Sequence, residues 1–407
     1  MKYFKNSELA RLYNVSEKTV RNWVKSAQAE KSDLEFYVDE KGKAYIADTT
    51  KNALAIQALV QEGKKYVNSR THKIVQPTDE FYSLYSKGQI IDIIGHLEKY
   101  NEFPFQYCHV GYGADLCEAY YKRLWGEGIF NAQSFFVDVV LQNMDYLQDL
   151  MKDFDKVNIV DIGGRTGLPI REILREVNSR DWLNKYINID ISQDMIAKNK
   201  NNIHEWFQGN IEVEAYVRDI SRDGFNEILF DNSSNDNARV ANLVFFVGGT
   251  LYNLLRPDYV LRNIQQSLGK DDIFITSTKL DTSKSRNYFD FSPSFQNQLL
   301  DPKRKVAVDL LGIDESFYEV EQLYNEISNS RFIQIRLKFD ISIDFETSGV
   351  SRRVGFKKGQ CVILLRCWHR TEREAIEEAK ENGFKVLQST MTPDEEGLTI
   401  VMRPDID

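Results

Sequence analysis

The chain has 407 residues, too many for one ordinary domain and enough for two or three. Its apolar share of 42% belongs to a globular protein, and no run approaches the ~20 apolar residues of a membrane-spanning helix. The net charge of −9 is uneven: residues 1–75 hold 14 Lys and Arg against 9 Asp and Glu, a balance of +5, so the remainder carries −14.

A basic head on an acidic body suggests that only the head meets a polyanion. The four cysteines, Cys108, Cys117, Cys361 and Cys367, form no C-x-x-C pair and have no histidine at zinc spacing. No metal is expected, and they read as reduced thiols of a cytoplasmic protein. The amino terminus shows no apolar signal core.

In chain order, Asn6 and Ser7 are candidate caps for a helix over Glu8–Tyr13. Asn14-Val15 makes a short turn, and Ser16 caps a second helix to about Gln28. Val20, Trp23 and Val24 face inward there, while Lys18, Thr19, Arg21, Asn22 and Lys25 face out. Leu34–Tyr37 and Ala44–Ile46 flank Asp39-Glu-Lys-Gly-Lys43 as a hairpin, and a helix over about Asn52–Asn68 closes the unit. Two short helices joined by a tight turn, the second bearing Arg, Asn and Lys, have the form of a helix-turn-helix. The stretch resembles the winged DNA-binding domain of MerR-type regulators. That resemblance implies reading of double-stranded DNA by Lys18, Thr19, Arg21, Asn22 and Lys25, with Lys41 and Lys43 near phosphates. A head of +5 binds weakly as a monomer, and a homodimer is the usual remedy. Residues 1–70 form this domain, and 71–80 read as a linker.

The body begins with helices, expected over Glu80–Lys87, Gln89–Tyr100 and Phe135–Phe154. Between them Gly111-Tyr-Gly-Ala-Asp-Leu-Cys-Glu-Ala-Tyr-Tyr121 could form a lid over a ligand, or a helix start with core aromatics. Next comes Val157-Asn-Ile-Val-Asp-Ile-Gly-Gly-Arg-Thr-Gly-Leu-Pro-Ile170, a buried strand entering a glycine turn that opens a helix. Two further apolar segments end in acids, Tyr186–Asp190 and Val213–Val217 with Asp219. Carboxylates at successive strand ends suit an adenosine ligand, whose ribose hydroxyls and adenine amine donate to them. The D-x-G-x-x-x-G spacing from Asp161 fits S-adenosylmethionine better than a dinucleotide, because Ile162 and Arg165 break G-x-G-x-x-G. A fourth strand runs into Gly248-Gly249-Thr250-Leu-Tyr252-Asn253, a helix follows over Tyr259–Leu268, and a fifth strand over Asp272–Asp281.

This order resembles the histidine-specific methyltransferases of ergothioneine biosynthesis, a branch of the class I S-adenosylmethionine-dependent enzymes. Tyr186-Ile-Asn-Ile-Asp-Ile-Ser192 and Gly248-Gly-Thr-Leu-Tyr-Asn253 carry the likeness. So does Phe356-Lys-Lys-Gly-Gln-Cys-Val-Ile-Leu-Leu-Arg-Cys367 with a helix over Glu372–Asn382 and a final strand. The resemblance implies an α/β fold: a Rossmann-like class I methyltransferase domain over 81–407 with its core at 155–280. A mixed α+β substrate-binding section would fill 81–154 and 281–370, beside the small winged helix-turn-helix domain.

By the same resemblance Asp190 would take the cofactor's ribose and Asp219 with Ile220 its adenine. Gly163, Gly164 and Thr166 would line the methionine end, with Asp161, Gly167 and Ile191 completing the cofactor set. Gly248, Gly249, Thr250 and Asn253 would bind the substrate, Asn253 through its amino and carboxylate groups. Tyr252, Tyr120 and Tyr121 are candidates for taking or orienting a proton, Tyr252 and Asn253 being the catalytic pair. Leu364, Leu365 and Arg366 stand where the family has Glu-x-Ser, so the carboxylate that grips imidazole is missing and Arg366 lines the substrate site instead. That departure argues against histidine as substrate. Arg165 replaces a glycine of the cofactor turn, Tyr252 another glycine, and Pro169 a lysine.

The reading is a methyltransferase acting on a small molecule, an amino acid or related amine nitrogen, fused to a DNA-binding domain. The alternative is a DNA-binding regulator whose body senses S-adenosylmethionine or a metabolite without turnover. A DNA amino-methyltransferase is disfavoured, because Asp/Asn-Pro-Pro-Tyr/Phe is absent after the fourth strand.

Overall fold

The computed structural model describes residues 3–13, 15–29, 32, 34–126, 132–231, 234, 235, 238–282, 300–347 and 349–406. Asn14 of the expected turn and residues 283–299 of the substrate section lie outside them. Two compact units emerge, one of residues 1–74 with 339–342 and one of 75–338 with 343–407.

In the first unit, helices Asn6–Leu12 and Glu17–Gln28 pack Leu9, Ala10, Val20, Trp23, Val24 and Ala27 into one core. Ser16 caps the second helix by accepting from the Thr19 N–H at 3.1 Å. The first helix starts a residue or two earlier than expected, and Lys5 rather than Asn6 or Ser7 is its N-cap, with the Glu8 carboxylate accepting from the Lys5 N–H at 2.8 Å. Strands Phe36–Val38 and Ala44–Ala47 pair as a hairpin, and Tyr3–Phe4 adds to its free side. Asp39 Oδ1 accepts from the Lys41 and Lys43 N–H groups at 2.9 and 2.8 Å, which sets the tip. The third helix runs Thr50–Thr71, and His72–Val75 is a strand. The stretch read as a linker therefore carries regular structure, with His72 bonded to Ser342 at 2.8 Å.

The second unit is built on a central sheet. Its strands are β1 (Lys156–Ile162), β2 (Leu183–Asp190), β3 (Val213–Val217), β4 (Ala238–Phe246), β5 (Ile273–Lys279), β6 (Phe384–Met391) and β7 (Gly397–Pro404). Their order is β6-β7-β5-β4-β1-β2-β3, parallel from β5 through β3, with β7 antiparallel to both β5 and β6. The near-continuous Val and Ile runs of β1, β2 and β4 are those of strands buried on both faces. Val160, Ile187, Val244 and Phe274 join one core; Val157, Ile159, Leu243 and Ile275 join the other. Across the sheet the amides of half-buried Asn184 and of buried Asn158 and Asn242 bond in series at 2.7 and 2.9 Å and end on Asp272 at 2.9 Å. Such a ladder is satisfied only in one register.

The helix expected over Phe135–Phe154 is two, Ala132–Gln142 and Met144–Leu150, broken at Asn143. The Gly111–Tyr121 stretch opens a helix, Tyr112–Gly126, rather than an irregular lid. Gly113 is required there, because a Cβ would stand 2.4 Å from the Cys108 carbonyl oxygen. Antiparallel strands Tyr318–Asn325, Ser330–Leu337 and Cys361–Trp368 form a further sheet; the first two were not expected from the sequence.

Candidate active site

The glycine turn after β1 is held from beneath by helix α2 (Gln193–Phe207). Asn199 donates to the Gly164 carbonyl at 3.3 Å and to Tyr186 Oη at 2.9 Å, while Asn202 donates to the Thr166 carbonyl at 3.0 Å. Gly163 and Gly167 take left-handed backbone at φ +62° and +76°, which glycine adopts without strain. The turn then leads into helix α1 (Arg171–Ser179), whose Ile173, Leu174 and Val177 are buried.

A cleft of about 580 Å³, open to solvent, lies at the carboxyl ends of β1, β2, β3 and β4. This is where open α/β sheets bind ligands. Gly163, Asp190, Ile191, Asp219, Ile220 and Thr250 line it, together with Arg165, Phe105, His109, Phe246 and Leu254. Asp190 is buried; its Oδ1 accepts from the Ser192 N–H at 2.9 Å and its Oδ2 from the Arg165 N–H at 3.4 Å. Burial raises its pKa, and the backbone donors oppose the rise. Asp219 accepts from Ser221 N–H at 3.0 Å and Ser221 Oγ at 2.5 Å, with Tyr107 Oη 3.5 Å away. Two strand-end carboxylates, apolar walls and a left-handed Gly163 that lets backbone approach closely suit an adenosine cofactor.

Other expected residues stand elsewhere. Asp161, Gly164, Thr166 and Gly167 form the underside of the turn and do not line the cleft. Asp161 is buried and accepts from Tyr186 Oη at 3.0 Å; burial pushes its pKa up to about 7. Tyr252 is 4% exposed in the core, and its hydroxyl donates to Glu378 beneath the Arg370 guanidinium. It faces away from the cleft, because the short 3-10 turn Leu251–Asn253 rotates it under helix Glu372–Glu381. That geometry removes it as a proton acceptor. Asn253 is half-buried on the same turn and likewise does not line the cleft.

Gly248 is fixed by donating its N–H to Ser277 Oγ at 3.2 Å, and it and Gly249 have φ of +87° and +77°. Arg366 does not reach the cleft. It donates to buried Glu102 Oε2 at 2.6 and 3.1 Å, with Phe332 and Trp368 rings at 4.8 and 5.3 Å. Phe105 and His109 were missed by sequence reasoning. They come from a 3-10 turn, Phe105–Cys108, that no glycine or acid pattern marks, and the His109 carbonyl accepts from Ser192 Oγ at 2.6 Å.

A family model described as histidine-specific methyltransferase, SAM-dependent, matches residues 140–404. The chain belongs to the histidine-specific, S-adenosylmethionine-dependent methyltransferase family. Its cofactor is S-adenosylmethionine and its second unit carries the class I methyltransferase fold. No curated protein matches the chain. Among solved structures, one similar chain is an S-adenosylmethionine-dependent methyltransferase from Clostridium acetobutylicum ATCC 824. It is 12% identical, with 70% of this chain and 97% of that one covered and a TM-score of 0.39. Another is magnesium protoporphyrin IX methyltransferase from Synechocystis PCC 6803 with bound SAH, 10% identical, covering 77% and 99%, TM-score 0.38. In this methyltransferase, among the described residues, no helix is long and apolar enough to cross a membrane.

Proposed function

We propose that the chain methylates an amine nitrogen of a small molecule, an amino acid or a related metabolite, and binds double-stranded DNA through its amino-terminal unit. The methyl-transfer reading rests on one cleft that gathers Asp190, Asp219 and Gly163 on one side and Thr250 of the Gly-Gly-Thr loop on the other. When bound, S-adenosylmethionine supplies a methyl carbon already activated by its sulfonium. The chain's task is then to hold, align and desolvate. Asp190 would hold the cofactor's ribose and Asp219 with Ser221 its adenine, and Phe105, Phe246 and Leu254 would shield it from water. The acceptor amine must be neutral to react. Arg165 lines the cleft and is bonded to buried Tyr121 behind it, which keeps Tyr121 as the tyrosine candidate for orienting the amine proton through the guanidinium.

DNA binding is supported by the exposed Lys18, Arg21, Asn22 and Lys25 of the second helix and by exposed Lys41 and Lys43 at the hairpin tip. Thr19 is less free, its hydroxyl lying 2.8 Å from Ser16 Oγ.

Calorimetric titration of S-adenosylmethionine into the wild type and Asp190→Ala tests the site, followed by labelled methyl transfer to a panel of amino acids and amines. Binding by the wild type alone and transfer to one amine are expected. Binding without transfer to any of them would favour the regulatory alternative.

A further inference from the structure

Asp92 is buried on the helix Lys87–Tyr100, behind the cleft wall that carries Asp219. Its Oδ2 accepts from Tyr107 Oη at 2.9 Å. Its Oδ1 is paired with the Arg222 guanidinium and lies 3.6 Å from His96 Nε2. Tyr107 is buried too, and its carbonyl accepts from Tyr85 Oη at 2.7 Å, which fixes the turn that carries it. The same two donors stand farther from Asp219 Oδ2, Tyr107 Oη at 3.5 Å and Arg222 Nε at 3.9 Å.

A phenol has one proton, so Tyr107 serves one carboxylate at a time. The shorter distance gives that proton to Asp92. On Asp219, Oδ1 accepts from both the N–H and the Oγ of Ser221, which uses its two lone pairs. Oδ2 is therefore the oxygen left to receive an adenine amine. The surrounding charges leave Arg222 as the cation shared by the two acids. Asp223 adds a further negative charge beside both Asp219 and Tyr107. Burial lowers the His96 pKa against the pull of Glu102 and Asp219, so the imidazole supplies no second cation. Arg218 lines the cleft but is paired with Glu227 at 2.6 Å.

We propose that Asp92 is a positioning residue for cofactor recognition: it draws the Tyr107 proton and the Arg222 guanidinium away from Asp219 and so leaves Oδ2 open to the adenine amine. This rests on the reading of Asp219 as the adenine contact. Hydrogen bonds to an ionised acceptor are about twice as strong as those to a neutral one, so Asp92→Asn loosens its hold on both donors. Both then turn to Asp219, and the adenine amine meets an oxygen already taken.

The test is calorimetric titration of S-adenosylhomocysteine and of S-inosylhomocysteine, whose purine bears a carbonyl in place of the amine, into the full-length protein. The wild type is expected to prefer the adenosyl ligand by roughly ten-fold or more, as a site built around a donor does. Asp92→Asn should lose most of that preference, by weakening the adenosyl ligand several-fold and the inosyl ligand little. Adding Tyr107→Phe to Asp92→Asn removes one competing donor and should restore part of it, which a merely structural defect would not allow. An unchanged preference in Asp92→Asn, equal losses for both ligands, or no recovery on adding Tyr107→Phe overturns the proposal. Should Asp92→Asn fail to fold, Tyr107→Phe and Arg222→Ala decide, the latter on an exposed side chain. Each alone should keep the preference, and its loss in either would make that donor, and not Asp92, the group that sets Asp219. A wild type that binds both ligands equally removes the adenine contact and this proposal but spares the methyl-transfer reading. One that binds neither removes that reading as well.

Discussion

Gly164 lies so close to Asp161 that a Cβ on it would stand 2.5 Å from Asp161 Oδ2 and 2.7 Å from Asn188 Oδ1. Both are short side chains on buried strands, with no flexible end to swing aside. The glycine is needed here for space, since its φ is not among the positive ones. Gly164→Ala should therefore destabilise by about 1–3 kcal/mol, as overpacking does. Thermal unfolding should show a lower Tm. An unchanged Tm would mean that the turn tolerates displacement from α2.

Asp161 makes stability depend on pH. Its folded pKa is about 7, above the ordinary 3.8, because burial disfavours the charge. The folded state therefore holds a proton that the unfolded state has lost between pH ~4 and 7. The stability linked to this proton is full below pH ~4 and is lost as pH rises through about 7. Asp161→Asn keeps an acceptor for Tyr186 Oη and removes the titration. At pH 8 the variant should be more stable than the wild type, by at most about 4 kcal/mol at ~1.4 kcal/mol per unit. Denaturant midpoints for both proteins at pH 5 and pH 8 decide it. A difference that does not change with pH would show that Asp161 is already ionised in the fold.

Tyr252 stands within the Gly248–Asn253 motif where the family has a glycine, and its hydroxyl points at Glu378 instead of the cleft. Tyr252→Phe should cost about 1 kcal/mol of stability, the usual net value of one hydrogen bond. Its rate of methyl transfer to an accepted amine should match the wild type's at every pH. A rate loss of ten-fold or more, with a folded protein, would return Tyr252 to the reaction.

How much of this was legible depends on how local the signal is. An apolar run ending in an acid marks the carboxyl end of a buried strand, so Asp190 and Asp219 could be named as cleft residues from the sequence. Gly163 and Gly164 could be named too, but sequence spacing does not separate the face that meets the cleft from the face that meets Asp161. The same ambiguity misled at Tyr252: adjacency to Asn253 says nothing about which way a three-residue 3-10 turn points. Arg366 illustrates a nonlocal case. Its partner Glu102 lies on a segment far away in the chain, bridged at Ile363, and no pattern near either residue announces the pair. The strands Tyr318–Asn325 and Ser330–Leu337 were hidden because charged and polar residues interrupt their apolar positions on a half-exposed sheet.

The amino-terminal unit offers a last test. Lys18 and Arg21 are exposed on the outer face of a helix whose inner face, Val20, Trp23 and Val24, is buried. Replacing both by alanine leaves that core untouched, and the Ser16 cap bonds to the Thr19 backbone, so folding should persist. If the two side chains meet phosphates, each lost contact removes ~0.9 from the slope of log K against log salt. The double variant should bind duplex DNA several-fold more weakly at moderate salt, with a slope shallower by ~1.8. Loss of affinity at one sequence but not at others would place Arg21 on a base edge instead. Unchanged affinity and slope in a fluorescence anisotropy titration would exclude this helix from the DNA interface.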